Sequence, residues 1–206
     1  MKNFGKQCRG KDRRSRGFTW IELMIVAFVI VVTTTISLPS FMQAYQRYQV
    51  NDAATRMANV IKYTRYEAIR SNAPVSYVIG VTPAGTAIAW TDSNGNGAPD
   101  PVERQLVFSP NVTLFAAGAG GNSPNHANLV LAANLGPLIP LSNTNAVVQF
   151  DQRGAVNPPP AGALVSYVGN IASPNAGYRA VILLPSGSMQ VWQSDGTQNG
   201  NWNYLH

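Results

Sequence analysis

The sequence has very little of the chemistry on which enzymes and metal proteins usually depend. Its 206 residues include one cysteine, Cys8, and two histidines, His126 and His206. A single cysteine cannot form an intramolecular disulfide, and neither histidine has a recognisable partner or metal-ligand spacing. The glycine-rich stretch at 118–121 is not followed by Lys-Ser or Lys-Thr, so it does not predict a phosphate-binding loop. We therefore predict no enzymatic activity.

Charged residues are also scarce, and their uneven distribution determines what the net charge means. The net charge is +6, but the first 17 residues hold seven Lys/Arg and one acid, Asp12. That leaves eight of the 15 cations and eight of the nine acids for the rest of the chain, a net charge of zero. The basic excess at the N-terminus therefore indicates the orientation of the chain in a membrane. It does not indicate a nucleic-acid partner.

A long apolar run follows the basic segment directly. Phe18 to Leu38 is 21 residues long, and its only ionisable side chain is that of Glu22. As a helix this run would cover about 30 Å, the thickness of the hydrocarbon core of a membrane. A cleaved secretory signal is the alternative, but no small-residue cleavage site follows near Leu38. The sequence predicts a membrane-spanning helix over 18–38 with the rest of the chain on the far side.

The start of the apolar run carries a recognisable motif. Gly17-Phe18-Thr19-Trp20-Ile21-Glu22 resembles the class III signal of type IV pilins and of type II secretion pseudopilins. Trp20 departs from the family, which usually has a smaller aliphatic residue there. The resemblance implies that a prepilin peptidase cleaves after Gly17 and that Phe18 becomes the N-methylated new N-terminus. It also implies one pass through the inner membrane, surrounding lipid before assembly, a periplasmic head, and a place in a pilus or pseudopilus afterwards.

Glu22 is the residue of the apolar run for which we predict a role in assembly. An ionised carboxylate in hydrocarbon is costly unless it is paired, so an intramembrane acid is a candidate functional site. Its expected partner is the free amine of Phe18 on a neighbouring subunit, which would set the axial stagger of a filament. The alternative is that Glu22 reaches the membrane surface by snorkelling.

The rest of the sequence predicts an α+β fold of the type IV pilin kind, a long N-terminal helix packed on a mostly antiparallel β-sheet head. Pro39 is expected to kink or interrupt the helix. Helical periodicity then returns up to Ser71. We divide the chain into a leader at 1–17, the membrane segment at 18–38, an amphipathic continuation at 39–72 and a β-rich head at 73–206. The apolar positions expected to face the core are Tyr45, Tyr48, Ala54, Met57, Ile61, Ala68 and Ile69.

Short apolar or alternating runs separated by Pro, Gly, Asn and Ser predict the strands of the head. Pro185-Ser186-Gly187 is typical of a hairpin turn. The stretch from Ala116 to Asn145 is rich in Gly, Asn, Ala and Pro and predicts a long, poorly structured connection. The predicted strands are 75–81, 87–90, 105–108, 146–150, 163–168, 178–184 and 188–192.

Two further stretches resemble the FimT/GspH subgroup of minor pilins. They are Thr64 to Val75 and Phe150 to Gly154, the latter together with the run from Tyr178 to Trp192. The resemblance covers the two ends of the chain and leaves the middle unmatched. It implies a minor type IV pilin that primes pilus assembly in a tip complex with other minor pilins and the major pilin, supporting twitching motility and adhesion. A GspH-like pseudopilin of type II secretion and a DNA-uptake pilin stay open as alternatives.

The head also contains a loop that fits the calcium-binding template D-x-[DN]-x-[DN]-G-x5-E. The template matches residues 92 to 103, and oxygen ligands at this spacing suit Ca²⁺. Pro99 and Pro101 exclude the second helix of an EF-hand, so an Asn/Gly-rich hairpin loop without a metal is the alternative. The predicted ligands are Asp92, Asn94, Asn96, Asp100 and Glu103.

Overall fold

The computed structural model describes residues 18–118, 122–195 and 200–205. The predicted leader, with Cys8 and the cleavage residue Gly17, lies outside the described residues, as does His206. The chain divides into two compact units, the first ending at Phe41 and the second running from Met42 to His206.

The first unit contains the beginning of helix α1, which spans Trp20–Ser71. Every described residue up to Ala44 is exposed. Within the described part of the chain, α1 is the one helix that is long and apolar enough to cross a membrane, by length and composition. The helix continues through Pro39, so the interruption expected there is not found.

The second unit contains a five-stranded antiparallel sheet, sheet A, in the order β3-β2-β1-β6-β7. The strand bounds are β1 Val75–Val81, β2 Ala87–Asp92, β3 Gln105–Val107, β6 Ala146–Phe150 and β7 Val156–Asn157. In the central pairs, Val78 lies opposite Trp90 on one side and opposite Val147 on the other. Alternation along β1 directs Tyr77 and Ile79 into the main core.

A second sheet, sheet B, has the order β11-β10-β9-β8-β4, with β5 pairing in parallel with the start of β8. A short helix, α2 (His126–Ala133), precedes β5. The strand bounds are β4 Val112–Phe115, β5 Leu138–Pro140, β8 Ala163–Asn170, β9 Arg179–Leu183, β10 Met189–Ser194 and β11 Trp202–Tyr204. The predicted α+β arrangement is confirmed, and each predicted strand is present with ends shifted by up to two residues.

The main core lies between the second part of α1 and both sheets. From the helix it takes a stripe between Val50 and Ala68, which includes the predicted Ala54, Met57 and Ile61. The prediction was wrong for Tyr45, Tyr48 and Ile69, which are 52%, 66% and 46% exposed. The buried stripe of α1 begins only at Val50. Tyr45 and Tyr48 precede it and line an open groove with Leu106 and Val107 of β3, so about half or more of each side chain stays exposed.

The stretch predicted as an unstructured connection contains α2 and β5, so that prediction was wrong. The Asn125 side chain accepts a hydrogen bond from the Asn128 N–H at 3.1 Å and caps the helix. Asn134 ends it in the left-handed conformation at φ 50°. Leu129 is fully buried in a second cluster, between α2 and the outer face of sheet B. Residues typical of turns surround α2, so composition predicted a loop, whereas packing against sheet B stabilises a helix.

Arg65 of α1 lies against two turns of the head. The Gly154 and Gly187 turns both have positive φ, at 77° and 80°. Arg65 Nη1 donates to the Gly187 carbonyl at 3.2 Å, and a Cβ on either glycine would lie within 2.8 Å of Arg65 Nε. The absence of side chains in the two turns therefore lets α1 approach the β6–β7 and β9–β10 connections closely.

Candidate assembly site and the 92–103 loop

Thr19 begins α1 as its N-cap. Its Oγ1 accepts the N–H of Glu22 at 3.4 Å, and its carbonyl accepts the N–H of Leu23 at 3.2 Å. The Thr19 hydroxyl donates to Glu22 Oε2 at 3.5 Å. Thr19 and Glu22 thus have the T-x-x-E spacing of a capping box, and the Thr19 side chain forms its half of that motif by capping the Glu22 N–H. Our sequence analysis missed Thr19, although this spacing is a helix-start signal visible in the sequence.

Glu22 and the predicted new N-terminus, Phe18, both lie on exposed surface. Phe18 is 74% exposed, and the neighbouring Trp20 is 76% exposed. No cation in the described ranges forms an ion pair with Glu22. Its carboxylate therefore has only the Thr19 hydroxyl as a hydrogen-bond partner there. Cleavage after Gly17, methylation of Phe18 and the pairing role of Glu22 stay predictions.

The hydroxyl groups of the apolar run are satisfied within the helix. Thr33, Thr34 and Thr35 donate to carbonyls four residues earlier at 2.7–2.8 Å. Ser37 donates to the Thr33 carbonyl at 2.9 Å. Because of these bonds, each of the four hydroxyl groups would keep a hydrogen-bond partner in hydrocarbon. The hydroxyl groups therefore do not prevent the segment from spanning a membrane.

The 92–103 loop connects the hairpin strands β2 and β3, and two buried carboxylates hold its ends. Asp92 accepts hydrogen bonds from the N–H groups of Gly95 at 2.7 Å and Gly97 at 3.0 Å. Glu103 Oε1 accepts from the Ser93 N–H at 2.8 Å. Its other oxygen accepts from the Asp100 N–H at 3.3 Å. The two acids therefore serve as acceptors for the backbone of the loop.

The remaining predicted calcium ligands also contact one another. Asn94 and Asn96 donate through their amide nitrogens to Asp100 Oδ2, at 2.6 and 2.8 Å. Their amide oxygens accept the N–H groups of Asn96 and Ala98. In this arrangement the amide oxygens point away from the Asp100 carboxylate, whereas Ca²⁺ needs six to eight converging oxygens. No cluster of three or more His, Cys, Asp or Glu side chains suited to a metal occurs in the described residues. The geometry favours the hairpin-loop alternative, and calcium binding stays a prediction.

His126 has a partner that the sequence did not reveal. Its Nδ1 lies 2.6 Å from the Tyr167 hydroxyl, and the two rings meet edge to face. Burial raises the pKa of Tyr167 well above its usual range. The contact ties the first residue of α2 to β8.

Comparison with known proteins connects this architecture to a family. A family model described as "Type II transport protein GspH" matches residues 53–187. The "Pilin-like protein PilA1" of Thermus thermophilus is 33% identical over 88 residues, which are 43% of this chain and 55% of that protein. The chain thus spans about half the length of this curated relative.

Among solved structures, the type IV minor pilin FimU of Pseudomonas aeruginosa is 13% identical to this chain, with a TM-score of 0.43. That match covers 68% of this chain and 90% of FimU. A second crystal form of FimU gives a TM-score of 0.36 over 78% of this chain. The family match covers more than half of the chain and includes the second part of α1, all of sheet A, and sheet B except β10 and β11. The chain therefore belongs to the GspH family of pilin-like proteins, as the sequence resemblance predicted.

Proposed function

We propose that this protein is a minor type IV pilin that primes pilus assembly within a tip-associated complex. In this proposal the 18–38 segment holds the chain in the inner membrane with the head in the periplasm. The prepilin peptidase removes residues 1–17, and the processed chain joins other minor pilins and the major pilin. Twitching motility and adhesion depend on the resulting filament. The chain itself catalyses no reaction.

One observation carries the proposal. A GspH-family head follows a helix that begins at a capped Thr19 and exposes an apolar run with one acid, Glu22, which forms no ion pair within the described residues. An exposed apolar surface of this length needs lipid or other helices to cover it. A single acid one turn from the helix start offers a fixed point for the amine of a neighbouring subunit.

The name of the matching family favours a second candidate, a GspH-like minor pseudopilin of a type II secretion system. The same helix and head would then join a pseudopilus. The pilin-like relative from Thermus thermophilus favours the pilus. The two candidates share the assembly chemistry and differ in the machine that uses it.

A deletion strain scored in parallel for surface pili and for secreted enzymes separates the two candidates. We expect pili to be lost while secretion persists, with the converse result identifying a pseudopilin. Complementation with Glu22→Ala should restore protein level but not filaments. Thr35→Ala, which changes a helix-satisfied hydroxyl in the same run, is the matched control and should restore both. Normal filaments with Glu22→Ala would contradict the role of that carboxylate.

A further inference from the structure

Strand β3 is an open edge of sheet A. It pairs with β2 on one side, and no described strand lies on its other side. Just beyond the two ends of β3, Phe108 donates its backbone N–H to the Ala87 carbonyl at 3.0 Å, and the Arg104 carbonyl accepts the N–H of Thr91 at 2.9 Å. Both bonds join residues that are directly opposite each other when the β2–β3 register is continued. They are therefore hydrogen-bonded pairs of an antiparallel ladder.

This ladder leaves the backbone groups of Gln105 and Val107 unpaired. Hydrogen-bonded pairs recur at every second residue, so Leu106 is also bonded to β2. Gln105 and Val107 lie between the bonded positions, and their N–H and C=O groups point away from β2. No other backbone hydrogen bond within the described residues involves them. The edge thus presents two donors and two acceptors in the alternating row that an added strand can pair with.

A groove runs beside this edge, between β3 and the second part of α1. Part of it is a cavity of about 240 Å³. Arg56 and Leu106 line this cavity and also line the open groove that contains Tyr45 and Tyr48, so the groove follows the whole strand. An extended segment therefore has room to lie next to β3. The cavity is lined by Arg56, Asn59, Val60, Arg104, Gln105 and Leu106.

The two arginines make this groove suitable for an acidic segment. Arg104 is exposed, and its guanidinium carbon lies 5.7 Å from the centroid of the Tyr63 ring. Neither of the ion pairs in the described ranges includes Arg104. Arg56 forms an ion pair with Asp52 at 2.9 Å, but exposed pairs one helical turn apart are weak. A carboxylate beside β3 would therefore meet Arg104 without displacing another acid.

We propose that β3 is a docking edge for an extended, acidic segment of a partner protein, which adds to sheet A as a further strand. The backbone groups of Gln105 and Val107 hold the segment, and Arg104 binds a carboxylate next to it. The inference goes beyond the proposed function because it identifies the surface of the head that selects a partner. It concerns the unit from Met42 to His206 alone, so it applies equally in a pilus and in a pseudopilus.

The first test follows backbone amide exchange by NMR in the full-length chain in detergent micelles. The probe is a seven-residue peptide of alternating threonine and valine with an aspartate at each end. A saturating concentration of this peptide should slow exchange of the Gln105 and Val107 N–H groups at least about tenfold, because each gains an acceptor. The Leu106 N–H is the internal control, since it is already bonded to β2 and should change little.

Variants then separate backbone pairing from charge, with binding of the labelled peptide measured by fluorescence anisotropy. Val107→Pro removes an outward N–H and leaves the ladder with β2 complete, so affinity should fall about tenfold. Val107→Thr keeps that N–H and should bind like the wild type. Arg104→Gln should weaken binding about threefold, whereas Arg153→Gln, an exposed control, should not. If Val107→Pro lowers the unfolding midpoint, Gln105→Pro, at the first residue of β3, replaces it.

Four kinds of result would contradict the docking edge. Absence of peptide binding, or unchanged exchange at Gln105 and Val107, would exclude strand addition. Equal binding of a peptide methylated on its backbone amides would indicate attraction by charge alone. Equal binding of a peptide with serine in place of aspartate would exclude an acidic partner. Dimerisation of the chain that Val107→Pro prevents, without peptide binding, would identify the occupant as a second copy. Each result would leave the proposed pilin function intact, because the deletion strain tests that separately.

Discussion

Single residues decide how closely α1 can approach the turns of the head. Gly187 and Gly85 share a φ of 80°, but their surroundings differ. A Cβ on Gly187 would lie 2.1 Å from the Gly154 carbonyl oxygen, whereas nothing lies within 4 Å of a Cβ on Gly85. The two positions therefore separate the cost of the backbone conformation from the cost of contact with Arg65 and the neighbouring turn.

We expect Gly85→Ala to lower the free energy of unfolding by about 1 kcal/mol, the cost of a left-handed alanine. Gly187→Ala should cost about 2 kcal/mol more, because the methyl group must displace backbone. Urea unfolding of both variants measures the difference. Equal losses would show that the Gly187 turn accommodates the methyl group without displacing Arg65 or the Gly154 turn.

Glu67 is a second residue for which we expect a contribution to the free energy of unfolding. Its carboxylate accepts a hydrogen bond from Arg70 Nε at 3.0 Å, and this bond lowers the pKa of Glu67, with burial opposing the shift. A pKa that is lower in the folded state stabilises the protein above the ordinary value of 4.5 and loses that effect as the pH falls through the folded-state pKa.

Glu67→Gln should therefore lower the unfolding midpoint at pH 7, and its difference from the wild type should shrink as the pH falls below about 4. Arg70→Gln should give the same pH dependence, because it removes the other partner of the pair. Thermal melts of the three proteins, taken at about one-unit steps between pH 3 and pH 7, measure the difference in unfolding midpoint between each variant and the wild type. A difference that stays constant with pH would assign the effect to packing and not to the charge.

At the scale of elements, the connection between β2 and β3 is held by side chains and not by a regular turn. Asp92 and Glu103 are 6% and 8% exposed, and both accept hydrogen bonds from backbone N–H groups of the loop. The loop sequence alone is compatible with both a calcium site and a hydrogen-bonded hairpin connection, because both use carboxylates at its ends.

Asp92→Ala should destabilise the head by about 1–2 kcal/mol, since it leaves the Gly95 and Gly97 N–H groups without their acceptor. We expect the same loss in Ca²⁺ and in EDTA. Asp100→Ala is the control, because the Asp100 side chain accepts from two exposed amides and should cost less. If EDTA lowered the midpoint of the wild type to that of Asp92→Ala, calcium binding by the loop would be established.

For the whole molecule, the strongest asymmetry is one of charge. Residues 1–17 carry seven cations and one acid, and the rest of the chain is neutral. Positive charges that flank an apolar segment stay on the cytoplasmic side, so these residues should direct the head across the membrane.

Alkaline phosphatase fused after His206 should therefore be active in the wild type, because it requires the periplasm. Changing the seven cations of the leader to glutamine should lower that activity sharply while the protein is still made. The control changes the exposed Arg104 and Arg153 to glutamine, and the alkaline phosphatase activity should then stay unchanged. Full reporter activity without the leader cations would show that another signal determines the topology.

The sequence by itself determined what depends on local composition and spacing. The apolar run after a basic segment predicted a membrane-length helix, and alternating runs between turn residues predicted seven strands of the head, because burial on one face imposes a period. The family resemblance followed from short motifs at the two ends, and the family match over 53–187 confirmed it. The T-x-x-E spacing at Thr19 was equally local and could have been recognised.

Only the tertiary structure decided what depends on contacts between distant residues. The strands of two to four residues that sequence analysis missed, and α2, form because neighbouring strands and a second apolar cluster cover them. Likewise, nothing in the sequence shows that Tyr45 and Tyr48 stay exposed or that Arg179 is buried beside Asn51, 128 positions away. Burial is a property of the assembled layers, and it determines both where the core ends on α1 and which polar side chains, such as that of Arg179, are enclosed.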